Sequence, residues 1–156
     1  MSTKQADLLC LSHLRWGFVY QRPQHLISRF AREGRRVFFW EEPVWEEGEA
    51  RTETRICAKS GVMVVTPHMP GGQSEEDVNR TLRTLLDTYM AEREIDEFML
   101  WYYTPMMLAF THHLRPRLTI YDCMDELALI QVRRAFVSRA GGSFVPPCGP
   151  RLHGGT

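Results

Sequence analysis

The stretch between His13 and His25 holds the side chains best suited to chemistry in this 156-residue chain. An imidazole such as that of His13 can act as a general base near neutral pH. A guanidinium such as that of Arg22 can hold phosphate oxygens through paired hydrogen bonds. The polar candidates are His13, Arg15, Gln21, Arg22, Gln24 and His25, and they lie among Trp16, Phe18 and Tyr20.

Each of these candidates has a structural alternative. His13 can simply hydrogen-bond its own loop, and Gln21, Arg22 and Gln24 can form a capping network at a helix start. Aromatic rings release burial energy wherever they pack, so Trp16 and Tyr20 fit either an apolar platform for a ligand or plain loop packing. We predict a catalytic base at His13. The predicted substrate contacts in this stretch are Arg15, Trp16, Tyr20, Gln21, Arg22 and Gln24.

A second group of candidates consists of carboxylates. Asp122, Asp125 and Glu126 follow an apolar run that ends at Tyr121. They can orient His13, bind hydroxyl groups of a ligand or coordinate a divalent ion through hard oxygen ligands. Alternatively, Asp125 and Glu126 are first-turn acids of a following helix. We predict catalytic roles for Asp122 and Asp125, substrate contact for Glu126, and no metal site.

Three further candidates follow other apolar runs. Glu41 and Glu42 come directly after a strand-like segment, and we predict ligand contacts rather than acid–base work for them. Thr104 precedes Pro105 and is predicted to cap a short helix and to contact substrate.

Strands and helices with readable patterns position these residues. The apolar residues 8–11 predict a buried strand, Pro23 opens an amphipathic helix that runs to about Glu33, and residues 36–43 predict a second buried strand. A strand, a helix and a strand with short joins form a βαβ unit with a right-handed crossover. Ligands bind outside the carboxyl ends of such strands, and His13 lies there.

The chain then continues in shorter segments. Residues 54–58 and 62–66 predict a hairpin, residues 46–53 an acidic loop, and residues 67–72 a turn-rich connection. All these assignments rest on alternating apolar residues and on turn-forming glycine and proline.

Helices and strands alternate again in the later part. Ser74 and the acids after it predict a helix start, residues 98–102 a strand buried on both faces, and residues 118–121 a further strand. A short helix is predicted from Met106 to about His112. The fold class is therefore α/β: a Rossmann-like, doubly wound, mainly parallel sheet with flanking helices.

Composition narrows the function classes. Lys and Arg together number 19, as do Asp and Glu, so bulk charge indicates no nucleic-acid partner. The four cysteines form no C-x-x-C pair, which favours a reducing compartment without a zinc site. The N-terminus lacks the apolar core of a signal peptide, and no run approaches the roughly 20 apolar residues of a membrane helix. We expect a cytoplasmic protein.

The last part of the chain differs in kind. Residues 130–156 contain no acid and no lysine but many glycines and prolines, and apolar periodicity ends near Val137. We predict a domain over residues 1–129 and a low-order tail over residues 130–156. A frame-shifted reading and a natural flexible tail both fit this composition.

Several motifs together resemble the N-terminal domain of bacterial GT-B glycosyltransferases, the family-one and family-four-like enzymes of cell-surface polysaccharide synthesis. The resemblance covers about residues 7–129, and the Gln-Arg-Pro-Gln-His-Leu block is its most specific part. The matching residues are Ser12, His13, Trp16, Gln21 to Leu26, Glu42, Pro43, Trp101 to Pro105, Tyr121, Asp122 and Asp125 to Leu127.

The resemblance implies an acceptor-side domain, incomplete after Leu129, whose nucleotide-sugar donor binds mainly to a second domain that this chain lacks. It implies a glycan or lipid-linked acceptor, no cofactor in this chain, and no activity for the chain alone. With such an acceptor, the rings of Trp16 and Tyr20 would form a platform for the sugar or lipid, and Glu41 and Glu42 would contact sugar hydroxyls. A lipid-linked acceptor would bring peripheral membrane contact.

Two other functions remain open from the sequence. Some similar sequences carry the label UDP-galactopyranose mutase, so a domain associated with or fused to that enzyme is one alternative. The chain has no G-x-G-x-x-G flavin fingerprint of its own. The other alternative is a non-catalytic α/β interaction module.

Overall fold

The computed structural model describes residues 5–17 and 22–122, without the side chains of residues 22 and 23. Strands and helices alternate as predicted, except between residues 37 and 69, where four strands follow one another. The elements are β1 (Asp7–Leu11), α1 (Arg22–Arg32), β2 (Val37–Trp40), β3 (Val44–Trp45), β4 (Arg51–Ile56), β5 (Met63–Met69), α2 (Glu75–Glu92), β6 (Phe98–Tyr102), a 3-10 helix (Pro105–Met107), α3 (Leu108–Thr111) and β7 (Leu118–Tyr121).

One sheet contains all the described strands. Its order is β3-β5-β2-β1-β6-β7, and β4 pairs with β5. Every pairing is parallel except that of β4 with β5, which is antiparallel. The predicted fold class, an α/β Rossmann-like and mainly parallel sheet with flanking helices, is confirmed.

The central strands alternate their side chains between two apolar layers. Leu9 and Leu11 of β1 pack in the layer covered by α2 and α3, whereas Leu8 and Cys10 pack in the layer covered by α1. All four side chains are fully buried. A strand buried on both faces needs apolar residues at every position, which is why β1 reads as a continuous apolar run.

The connections reverse direction at β1. From β1 the chain crosses through α1 to β2 on one side, whereas from β5 it crosses back through α2 to β6 on the other side. Neighbouring strands whose connections leave in opposite directions open a crevice at their carboxyl ends. We call the crevice between β1 and β6 the switch point.

Local signals set the helix ends. The Ser74 hydroxyl accepts a hydrogen bond from the backbone N–H of Asp77 at 3.1 Å, which satisfies one of the free donors at the start of α2. The Thr104 hydroxyl accepts one from the N–H of Met106 at 3.3 Å and so caps the 3-10 helix as predicted. Among the described helices, none is long and apolar enough to cross a membrane.

Two boundaries were predicted wrongly. β4 begins at Arg51, inside the predicted acidic loop, because Arg51 and Glu53 pair with β5 despite their charge. β5 extends to Met69 and includes Pro67, which was assigned to a connection. Pro67 falls between the residues of β5 that pair with β2 and those that pair with β3, where the ladder needs no N–H from residue 67. The predicted tail and the domain end at residue 129 lie outside the described residues.

Candidate functional site

The carboxyl ends of the parallel strands bring several predicted residues to one edge of the sheet. His13 follows β1, Glu42 follows β2, Thr104 follows β6 and Asp122 follows β7. Backbone bonds tie the exits of neighbouring strands together, since the N–H of Ser12 donates to the carbonyl of Trp40 at 3.0 Å. This edge is the candidate functional site.

Glu41 organises one half of this edge. Its side chain is buried, and its Oε2 atom accepts a hydrogen bond from the backbone N–H of Trp16 at 2.8 Å. Its Oε1 atom accepts one from the hydroxyl of Thr66 and one from the guanidinium of Arg55 at 3.2 Å. Arg15 approaches the same oxygen at 3.8 Å. We call Glu41, Arg15, Trp16, Arg55 and Thr66 the Glu41 cluster.

These bonds correct the sequence interpretation of Glu41 as a sugar-contact residue. A buried carboxylate is costly unless its oxygens are paired, and both oxygens of Glu41 are used by the protein itself. Sequence reasoning missed this role because Thr66 and Arg55 lie 25 and 14 residues further along the chain.

Arg15 ties the same loop to the residues after β2. Its Nε atom lies 3.2 Å from Glu42, and a terminal nitrogen donates to the carbonyl of Pro43 at 3.0 Å. The side chain of Glu42 is 47% exposed and that of Arg15 is 34% exposed. Both therefore remain accessible to a ligand, and their predicted substrate contacts stay predictions.

Trp16 and Gln24 hold the loop against the layer covered by α1. The Trp16 ring is buried and meets Phe39 edge-on, with ring centroids 4.9 Å apart. The buried amide of Gln24 donates to the carbonyl of Trp16 at 2.9 Å and approaches that of Arg15 at 3.5 Å. These contacts fit a structural role for Trp16 and Gln24, which is to hold the loop to the rest of the protein. Substrate contact by Trp16 or Gln24 stays a prediction.

The indole of Trp16 also reaches Cys57, just beyond β4. Burial raises the pKa of the Cys57 thiol, but hydrogen bonds from the side chains of Ser60 and Trp16 and from the backbone of Ser60 and Lys59 outweigh it and lower the pKa to about 7. A half-buried thiol with this pKa is largely thiolate in mildly alkaline solution. The ionisation of the Cys57 thiol therefore depends on whether the loop that contains Trp16 packs against Cys57.

The other half of the edge comprises the ends of β1, β6 and β7, and His13 follows β1. Its ring is half-buried. The Nδ1 atom is shielded from solvent and has no hydrogen-bond partner among the described residues. In the described structure Asp122 therefore does not hold this nitrogen, although the sequence named Asp122 as a residue that could fix the tautomer.

Asp122 and Thr104 complete this half. The backbone N–H of Asp122 donates to the carbonyl of Tyr102 at 2.9 Å, which anchors the exit of β7 beside β6. Thr104 is buried and caps the 3-10 helix. Burial raises the pKa of the Cys10 thiol well above its usual value, and the negative charge of Asp122 raises it further. The negative charge of Asp122 therefore acts on the Cys10 thiol of β1, two strand spacings or about 10 Å away.

The remaining predicted residues lie outside the description. They are Tyr20, Gln21, the side chain of Arg22, Asp125 and Glu126. Within the described ranges, no group of three or more His, Cys, Asp and Glu side chains could hold a metal ion.

Comparisons with known proteins find solved structures with a similar fold. No protein-family model matches the chain, and no curated protein matches it by sequence. An α,α-trehalose-phosphate synthase (UDP-forming) from Burkholderia xenovorans, solved in complex with glucose-6-phosphate, superposes with a TM-score of 0.50 at 10% identity, over 91% of this chain and 45% of that chain. An E. coli structure described as trehalose-6-phosphate bound with UDP-2-fluoro glucose gives a TM-score of 0.48 at 9% identity, over 74% of this chain and 33% of that chain.

This likeness concerns the fold alone. The chain shares a Rossmann-like α/β architecture with part of the Burkholderia xenovorans synthase, and it spans less than half of either neighbour. The described residues form a sheet whose switch point and carboxyl edge are those at which α/β proteins bind ligands.

Proposed function

We propose that this chain is the acceptor-side domain of a GT-B glycosyltransferase that moves a sugar from a nucleotide-sugar to a glycan or lipid-linked acceptor in cell-surface polysaccharide synthesis. The observation that carries the proposal is the position of His13. His13 follows β1 at the carboxyl edge of the sheet, and its shielded Nδ1 atom binds no described residue. Similarity to a UDP-forming synthase that holds glucose-6-phosphate supports the reaction class.

In this proposal His13 acts as a general base. A ring nitrogen takes the proton of an acceptor hydroxyl while the hydroxyl oxygen attacks the anomeric carbon of the donor. The bond from that carbon to the nucleoside diphosphate breaks, and the diphosphate leaves with the electron pair. The configuration at the anomeric carbon is thereby inverted. Asp122 and Asp125 supply negative charge that stabilises the protonated imidazole.

Arg15 and Glu42 are the described polar side chains best placed to contact the acceptor. Both remain partly exposed at the carboxyl edge while paired with each other at 3.2 Å. Arg22, Gln21, Tyr20 and Glu126 are assigned to substrate by the motif resemblance alone.

The donor is proposed to bind mainly to a second domain. The 45% coverage of the synthase leaves more than half of that protein without a counterpart in this chain. Residues of two facing domains build a cleft that neither builds alone, so the chain by itself should be inactive. Neither mutase association nor a non-catalytic interaction role has a described contact that favours it.

Calorimetric titration of the chain tests the proposal. Glucose 6-phosphate should bind with a dissociation constant in the millimolar range, because one wall of the acceptor site is present. UDP-glucose should bind more weakly or not at all, and no sugar should be transferred. Sub-micromolar binding of a UDP- or GDP-sugar, or turnover by the chain alone, would show that the donor site is not in a missing domain.

A further inference from the structure

Helix α1 carries a basic concavity that the proposed transfer reaction does not use. A surface cavity of about 460 Å³ is lined by His25, Leu26, Arg29 and Arg32. Arg32 ends the helix, ten residues after Arg22, so it lies about 15 Å along the axis from the carboxyl edge. Arg29 and Arg32 therefore lie away from the candidate transfer site, whereas His25 lies about one turn from the start of the helix.

The spacing of these residues puts them on one face. His25 and Arg29 are four residues apart, and Arg29 and Arg32 are three apart, so their side chains neighbour one another along the helix. No carboxylate is among the described lining residues. The lining combines two guanidinium groups, an imidazole and one apolar wall.

The two arginines differ from most others in the structure. Seven described arginines approach carboxylates within 4.0 Å: Arg15, Arg36, Arg51, Arg55, Arg80, Arg83 and Arg117. Arg29 and Arg32 make no ion pair with any described residue. Glu33, next to Arg32 and four residues after Arg29, is exposed yet pairs with neither. Two guanidinium groups beside a cavity therefore keep their donors available.

We propose that this concavity binds a phosphate-bearing ligand. Each guanidinium offers a planar pair of donors that fits two oxygens of a phosphate group, and two such groups on adjacent turns can hold one phosphate or two linked phosphates. Leu26 gives an apolar contact for the carbon skeleton that bears the phosphate. The same chemistry is offered by a soluble phosphate compound and by a phospholipid headgroup.

A structural role for the arginines makes a different prediction. Both lie in the last turn of α1, where positive charge stabilises the negative end of the helix dipole. That role alone would make their replacement lower the melting temperature without any ligand being bound. Binding measurements therefore separate the two roles.

The test compares the chain with its Arg29→Gln/Arg32→Gln variant and with the control Arg115→Gln, which removes an exposed arginine that lies outside the concavity and makes no ion pair with a described residue. Inorganic diphosphate is titrated by calorimetry at constant ionic strength. Phosphatidylcholine vesicles with and without phosphatidylglycerol are tested by co-sedimentation.

Diphosphate binding that weakens about tenfold or more in the double variant, and is unchanged in Arg115→Gln, supports a site for soluble phosphates. Phosphatidylglycerol-dependent sedimentation with the same pattern supports a headgroup site. Absence of both kinds of binding in the unaltered chain overturns the proposal, as does equal binding by the double variant. Circular dichroism of all three proteins shows that the comparison concerns folded chains.

Discussion

On the β2–β5 side of the carboxyl edge, the carboxylate of Glu41 uses both oxygens on the protein itself. On the β1–β6 side, the shielded Nδ1 atom of His13 binds none of the described residues. Both groups are polar and lie just past central strands. The difference teaches that the same edge contains a carboxylate that fixes the loop and an imidazole nitrogen that no described residue uses.

The physical reason for the difference is the cost of burial. A carboxylate as buried as that of Glu41 must be fully paired, because an unpaired buried charge is strongly destabilising. A neutral imidazole at a half-buried position has a much smaller cost. The protein can therefore leave a nitrogen of His13 unsatisfied, but it cannot do so with Glu41.

The largest expected effect is on catalysis and concerns His13→Ala in a protein that joins this chain to its donor-binding domain. A positioned general base is typically worth about 10²–10⁴-fold in rate, so kcat should fall by that factor. Donor affinity should change little, because the donor is proposed to bind mainly to a second domain. His112→Ala, at an exposed histidine after α3, is the control and should keep kcat.

The melting temperature of His13→Ala is measured beside kcat. Since no described hydrogen bond to Nδ1 is lost, stability should change by less than about 1 kcal/mol. A destabilised variant with nearly normal kcat would remove His13 from the mechanism and make it a loop-holding residue like those of the Glu41 cluster.

The next effect is on stability and concerns Glu41→Gln. An amide cannot accept all the hydrogen bonds from Trp16, Thr66 and Arg55, so buried donors lose their partner and unfolding should become easier by about 2–4 kcal/mol. Urea denaturation measures this. Glu42→Gln is the matched control: it breaks one half-exposed ion pair and should cost less than about 1 kcal/mol. Equal costs would contradict the role of Glu41 as a buried anchor of the loop.

A smaller effect concerns the docking of the loop on β4. At pH 7 the Cys57 thiol, with a pKa of about 7, should be alkylated much faster than the buried Cys10 thiol, whose pKa is raised by burial. Trp16→Phe removes the indole donor, raises the pKa of Cys57 and should slow its alkylation a few-fold at this pH. Peptide mass spectrometry separates these cysteines from Cys123 and Cys148. An unchanged rate in Trp16→Phe would contradict docking of Trp16 against Cys57.

The smallest effect concerns the change in stability at acidic pH that arises from Glu46, which follows β3 where it pairs with β5. Hydrogen bonds from Arg51 and then from His68 lower the pKa of Glu46 in the folded protein. This carboxylate therefore adds stability above its unfolded pKa of about 4.3, and the contribution is lost as the pH falls through the lowered folded pKa. Melting temperatures measured from pH 6 to pH 3 should fall less steeply in Glu46→Gln than in Glu47→Gln, whose exposed carboxylate makes no described ion pair. Identical slopes would contradict the assignment.

Elements set by local sequence were predictable. The apolar run of β1 and the Ser74 cap of α2 each follow from neighbouring residues. Pairing between distant segments was not predictable, because the charged residues Arg51 and Glu53 belong to β4 only through their pairing with β5. The strand end of β5 at Met69 was hidden by Pro67 for the same reason.

The site divides in the same way. Its location after β1, β6 and β7 could be predicted, because the carboxyl ends of parallel strands meet at one edge. The assignment of individual side chains could not. Glu41 and Glu42 are adjacent and chemically identical, and only contacts with Trp16 and Thr66 from distant segments separate a buried anchor from an accessible carboxylate.

Histidine NMR during a glucose 6-phosphate titration tests the division of the edge most directly. Ring signals of His13, assigned from their absence in His13→Ala, should move progressively with ligand concentration. Those of His68, held between Glu46 at 2.8 Å and Glu53 at 3.1 Å away from the switch point, should not move. Movement of the His13 signals without movement of the His68 signals is the result that we predict. A stationary His13, or equal movement of His68, would contradict the claim that the switch point is where this protein binds its acceptor.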